Sequence, residues 1–161
     1  MPAESPAPRY AGGCQCGAVR FSSGGALGRA SICHCRMCQK AFGAFYGPLV
    51  SAPQLTWTRG APKYFQSSNR VRRGFCADCG TPLTFEPDDG PAEVAIGAFD
   101  DPGAIRPMIQ HGLDARLPWV NQLDELPVRT ADEADKAAPY YASIRSFQHP
   151  DHDTETWPSA T

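Results

Sequence analysis

The chain has no apolar run approaching the roughly 18 residues of a membrane span, which argues against a helix that crosses a bilayer. Its start, Met1-Pro2-Ala3-Glu4-Ser5-Pro6-Ala7-Pro8, carries neither the basic cluster nor the apolar segment of a secretory signal. Both absences lead to the expectation of a soluble, cytoplasmic protein. A strongly basic stripe is also missing. The formal charge is −2, and residues 124–161 hold eight Asp/Glu against three Lys/Arg, which leaves nine against twelve in the rest. A mildly basic body with an acidic tail suits a small anionic substrate better than a nucleic acid. An even cysteine count is lacking as well. Seven thiols cannot all pair, and a reducing compartment disfavours disulfides in any case, so metal ligation is the better use for them.

Glycine and proline are abundant, at 15 and 16 among 161 residues, so the chain should form one small domain of short elements and frequent turns. Residues 1–9 alternate Pro with small residues and read as a disordered leader. Residues 10–127 read as the folded domain. Within it, Ala18 to Phe21, Ala30 to Ile32, Phe45 to Val50, Gln54 to Thr58, Lys63 to Gln66, Val71 to Phe75, Pro82 to Phe85, Glu93 to Phe99 and Met108 to Gln110 are short segments rich in aromatic and β-branched residues, punctuated by Pro and Gly. Their spacing predicts antiparallel β structure and not βαβ units. Residues 128–161 read as an extension whose aromatics can pack back on the domain.

The cysteines fall into two arrangements. Cys14-Gln15-Cys16-Gly17 and Cys76-Ala77-Asp78-Cys79-Gly80 contribute two thiols each, and each closes on a glycine that lets the chain turn behind the second sulfur. Together they make four, the ligand number of a closed structural zinc, and a site joining residues about sixty positions apart would staple the fold. Cys33-His34-Cys35-Arg36-Met37-Cys38 leaves three thiols in six residues. Extended chain puts Cys33 and Cys35 on one face and His34 on the other, and a helical turn from Arg36 to Ala41 would fold Cys38 back beside them. Three ligands are what a working zinc keeps, with one position for water or substrate; a fourth ligand such as His34, His111 or Asp78 would make the site inert. No residue is singled out as a catalytic acid or base. His149-Pro150-Asp151-His152-Asp153 reads as a solvated segment. Arg36, Lys40, Arg72 and Arg73 flank the cysteine motifs, with surface solvation as the ordinary reading and capture of a carboxylate as the less common one.

Three ordered motifs carry a family resemblance. Gly13 to Phe21, Cys33 to Lys40 with Gly43, and Arg73 to Leu83, followed by Arg106-Pro107, His111 and Pro118-Trp119, resemble the glutathione-dependent formaldehyde-activating enzyme family, which includes the centromere protein V type of domain. The resemblance implies a mainly β, small antiparallel-sheet domain with few short helices. It implies a four-cysteine structural zinc at Cys14, Cys16, Cys76 and Cys79, and a three-cysteine zinc at Cys33, Cys35 and Cys38. The implied activity is that of a carbon–sulfur lyase, joining a small thiol such as glutathione to an aldehyde such as formaldehyde. A non-catalytic zinc module that binds protein or nucleic acid, or a thiol-based metal or redox sensor, are the competing function classes.

Overall fold

A computed structural model describes residues 9–158 and gathers ten strands into two sheets. The smaller sheet consists of β1 (Arg9–Gly13), β2 (Arg20–Gly24) and β5 (Thr56–Arg59), in the order β1-β2-β5. The larger one holds β3 (Ser31–Cys33), β4 (Gly47–Ser51), β6 (Lys63–Gln66), β7 (Val71–Phe75), β8 (Pro82–Pro87), β9 (Glu93–Ala95) and β10 (Ile109–His111). Its order is β10-β3-β4-β9-β8-β7-β6. The edge strand β6 is exposed throughout and opens on Lys63, a charge that discourages pairing with another chain. The fold is thus mainly β with two short helices, α1 (Arg36–Phe42) and α2 (Ala131–Ser143), besides single 3-10 turns.

The core lies where the two sheets meet. Phe21, Val50, Leu83 and Val94 are fully buried. Phe21 presents its ring edge-on to Phe99 at 5.2 Å and to Trp57 at 6.1 Å, the geometry that aromatic quadrupoles prefer. Phe99 belongs to no named strand. The expected strand from Glu93 to Phe99 stops at Ala95, where Ile96–Ala98 winds into a 3-10 turn, and Phe99 instead bridges back to Gly12 on the smaller sheet. That bridge ties one sheet to the other.

One strand pairing departs from the antiparallel expectation. Every strand pair is antiparallel except β10 and β3, which run parallel with His111 opposite Cys33. The connection from β9 to β10 passes through two 3-10 turns and is long enough to return the chain in the same direction, which a tight hairpin cannot do. The leader expected over 1–9 falls on residues outside the described range except for Arg9, which opens β1 opposite Gly24.

Beyond the second sheet, α2 begins with a capping box. Thr130 accepts from the Glu133 amide, and the Glu133 carboxylate accepts from the Thr130 amide. No residue of this helix is buried, so local capping and not packing defines it. No helix among the described residues is long and apolar enough to cross a membrane.

Candidate metal centres

The two pairs of thiols that stand sixty residues apart in sequence share one site. Cys14 and Cys16 sit in the turn between β1 and β2, Cys76 and Cys79 in the turn between β7 and β8, and their four sulfurs lie within 4.8 Å of one another. The cluster therefore bridges the two sheets. The chain turns at Gly17 with φ of 81° and at Gly80 with φ of 76°, the left-handed region that a side chain resists. Sγ of Cys14 stands 3.6 Å from Sγ of Cys16, and Sγ of Cys16 stands 3.8 Å from Sγ of Cys76. Four sulfurs each about 2.3 Å from one zinc would stand about 3.8 Å apart, so the donor set and its spacing fit that ion. Backbone and hydroxyl groups complete the shell. The Val19 amide donates to Sγ of Cys14 at 3.2 Å, and the Thr81 hydroxyl lies 3.1 Å from Sγ of Cys79. Burial opposes ionisation of Cys79, yet the Thr81 hydroxyl and amide together with neighbouring donors bring it down to about 6.

The second cluster is local. Cys33 ends β3, Cys35 caps α1, and Cys38 lies on the first helical turn, which places three sulfurs within 4.8 Å of one another. Sγ of Cys35 accepts from the Cys38 amide at 3.4 Å, so the thiol itself serves as the helix cap. Cys33 and Cys35 are half-buried, while Cys38 is 2% exposed. Burial pushes the Cys38 thiol up to about 12 in the absence of a metal charge, with the Arg73 guanidinium working against that rise. Among the described residues, no histidine nitrogen or carboxylate oxygen joins these three sulfurs. His34 is turned away from them. Its ring is fully buried, with Nε2 2.9 Å from Oε1 of Gln110 and the Tyr46 ring packed against it at 5.6 Å, and its Nδ1 has no partner among the described residues.

Sequence reasoning missed several groups that build this site. Gly112, with φ of 64°, brings its Cα so near Cys35 that an added Cβ would stand 2.8 Å from the Cys35 amide nitrogen. Gln39 is buried, and its Nε2 donates to the carbonyls of His34 at 2.6 Å and Ala115 at 2.9 Å, while Oε1 accepts from Arg36. Arg73, expected at the surface, is 7% exposed and donates to Sγ of Cys38 at 3.4 Å. A contact across 35 residues leaves no trace in local spacing. Beside the cluster a cavity of about 490 Å³ opens between Arg36, Met37, Lys40, Phe65, Ser67 and Arg73. Neither this cavity nor a larger one of about 720 Å³ near Leu27, Ile105 and Met108 is lined by a cysteine, but the smaller is walled by Arg73, which touches Cys38.

The segment expected to be solvated is exposed at Asp151, His152 and Asp153 but docked at His149. His149 is 6% exposed and donates its amide to the Gln15 carbonyl at 2.7 Å, and Asp153 pairs with Arg20 at 2.8 Å. Arg20 is 3% exposed and also grips both oxygens of Asp100 at 2.7 Å each, while His149 is held by the Gln15 carbonyl and lies 3.3 Å from Arg59. A buried guanidinium draws carboxylates in.

The family model described as glutathione-dependent formaldehyde-activating enzyme matches residues 9–113, a span that includes all seven cysteines. An uncharacterized lyase of Schizosaccharomyces pombe is 31% identical over 96 residues, covering 57% of this chain and 68% of the relative. A crystal structure of a Rhodobacter sphaeroides protein is 20% identical with a TM-score of 0.46, covering 62% of this chain and 98% of that one.

Proposed function

Because the chain belongs to the glutathione-dependent formaldehyde-activating enzyme family, we propose that it is a zinc enzyme that makes or breaks a carbon–sulfur bond on a small thiol adduct. The observation that carries this reading is the three-sulfur cluster, which no histidine or carboxylate joins among the described residues and which sits beside a cationic cavity. In this reading Cys14, Cys16, Cys76 and Cys79 hold a structural zinc, and Cys33, Cys35 and Cys38 hold a second one. Zinc held by three sulfurs would supply a Lewis-acid position at which a thiol favours its thiolate form at neutral pH. A reducing compartment such as the cytoplasm would keep all seven thiols available.

Glutathione and formaldehyde are the substrate pair that the family name suggests. The thiol sulfur adds to the aldehyde carbon, the carbonyl π pair moves onto oxygen, and the proton lost from sulfur ends on that oxygen. No oxidant or reductant is needed. The chain's own residues supply binding and orientation. Arg36 and Lys40 offer charge to carboxylates of an anionic thiol, Met37 and Phe65 offer apolar walls, and holding the two reactants together lowers the entropic part of the barrier.

Cys38→Ser tests the proposal. Thiol-dependent turnover, measured against the spontaneous addition, should disappear while the protein keeps its fold and one of two zinc ions. Turnover that persists above the spontaneous rate in this variant would overturn the assignment.

A further inference from the structure

Two arginines are buried among the described residues, and their partners differ. Arg20 meets two carboxylates, Asp100 and Asp153. Arg73, 7% exposed, forms no ion pair with a carboxylate among the described residues. Its Nε donates to the Ser67 hydroxyl at 3.0 Å, its guanidinium carbon lies 5.0 Å above the Phe85 ring, and its Nη2 points at Sγ of Cys38, 3.4 Å away. A hydroxyl and a ring face do not balance a buried positive charge, and a buried charge without a counter-charge is strongly unfavourable. Among the described residues, the sulfur of Cys38 is the one group in direct contact with this guanidinium that can carry a negative charge.

We propose that Arg73 is a positioning residue of the three-cysteine site, a buried guanidinium whose hydrogen bond to Sγ of Cys38 fixes that sulfur as the anchored ligand, while Cys33 and Cys35 are half-buried. This rests on the reading of that cluster as a zinc site. Three thiolates and a zinc ion would carry a net charge of −1, and the guanidinium would bring the assembly to neutrality, which suits a site whose Cys38 is buried. The hydrogen bond also draws electron density from one of three donors, leaving the metal more electrophilic toward a further ligand. Because Arg73 sits on β7, two residues before the Phe75 that ends the strand and three before Cys76, the same strand serves both clusters. Ser67 completes the arrangement by fixing the rotation of the guanidinium. Such partners of a ligating atom typically carry 10–100-fold in metal affinity or activity.

The test uses the full chain loaded with Co²⁺ at both sites, titrated with a competing chelator and followed by the thiolate-to-cobalt absorption. Arg73→Met should weaken the second cobalt by about 10–100-fold and shift its absorption band, while the first cobalt keeps its affinity. Arg73→Lys should recover part of the loss, and Ser67→Ala, which keeps the charge but frees its orientation, should fall between wild type and Arg73→Met. If Arg73→Met fails to fold, the graded pair Arg73→Lys and Ser67→Ala carries the measurement. Equal second-site affinity and an unmoved band in all variants that fold would overturn the inference, as would a wild-type chain that binds one cobalt only. The readout is independent of turnover: a wild type without thiol-dependent activity but with the graded cobalt response would remove the enzymatic proposal and leave the role of Arg73 standing.

Discussion

The indole Nε1 of Trp157 donates to the carbonyl of Cys16 over 2.7 Å, closing a contact between residues 141 positions apart. With the His149 amide on the Gln15 carbonyl, and Nη2 of Arg59 on the Thr154 carbonyl at 2.6 Å, it lays residues 149–157 as a strap across the first cysteine knuckle. The family model ends at residue 113, so this strap lies outside the matched region.

Gly17→Ala should dislodge the strap. Its backbone has φ of 81°, and an added Cβ would stand 2.2 Å from Cδ2 of His149. Left-handed strain of roughly 1–3 kcal/mol and a steric clash then act at one place. The expected outcome is lower stability in urea together with faster zinc release from the four-cysteine site to a colorimetric chelator. Trp157→Phe, which removes one partly exposed donor, should cost about 1 kcal/mol or less.

The two carboxylates on Arg20 should differ sharply in worth. Asp100 holds both terminal nitrogens and its side chain is 18% exposed, whereas that of Asp153 is 61% exposed. Asp100→Ala leaves a guanidinium buried with a weak remaining partner and should cost about 3–5 kcal/mol. Asp153→Ala should cost under about 1 kcal/mol, as a solvent-screened pair does. Chemical denaturation of the two variants checks the order.

Removal of metal should separate the two clusters by their structural consequence. The four-cysteine site joins the β1–β2 turn to the β7–β8 turn and so spans both sheets, while Cys33, Cys35 and Cys38 close a loop of six residues. Cys76→Ser should lower the melting temperature far more than Cys38→Ser, since a zinc that bridges sheets contributes its binding energy to folding. Calorimetry of both variants with zinc quantified decides the point.

Glu93 should make the fold slightly less stable as pH rises. Burial in β9 raises its carboxyl above the ordinary range, with His111 acting weakly in the opposite direction. A group whose folded pKa is raised favours the protonated form in the fold, so its penalty is absent in acid and grows as pH climbs through the folded pKa. Glu93→Gln should therefore flatten the stability profile above about pH 4.3, and the variant should equal or exceed wild type at neutral pH. Urea midpoints across that range test the sign.

Much of the architecture was legible before any coordinates. Lys63–Gln66 and Val71–Phe75 appear as strands with the boundaries read from residue type and turn punctuation, because both strand preference and Gly or Pro breaks act over a few residues. The gathering of Cys33, Cys35 and Cys38 was legible for the same reason. Strand alternation and one helical turn bring them together within six residues, with Gly43 stopping the helix in the left-handed region.

What spacing alone could not decide was everything that depends on the packing of distant segments. Arg73 carries the same residue type as Arg72, yet Arg72 lies on the exposed face with Glu86 and Arg73 points inward to Cys38, since successive residues of a strand face opposite sides and only the finished sheet determines which side is interior. His149 and Asp153 have the composition of a solvated tail, and they meet partners far earlier in the chain, the Gln15 carbonyl and Arg20 respectively, that only the folded sheets bring within reach. The parallel pairing of β10 with β3 likewise depends on where a long connection lands. The gathering of Cys33, Cys35 and Cys38 follows from short-range geometry that the sequence determines by itself; the meeting of Cys14 and Cys16 with Cys76 and Cys79, the contact of Arg73 with Cys38, and the strap over the first knuckle arise only once the two sheets have packed.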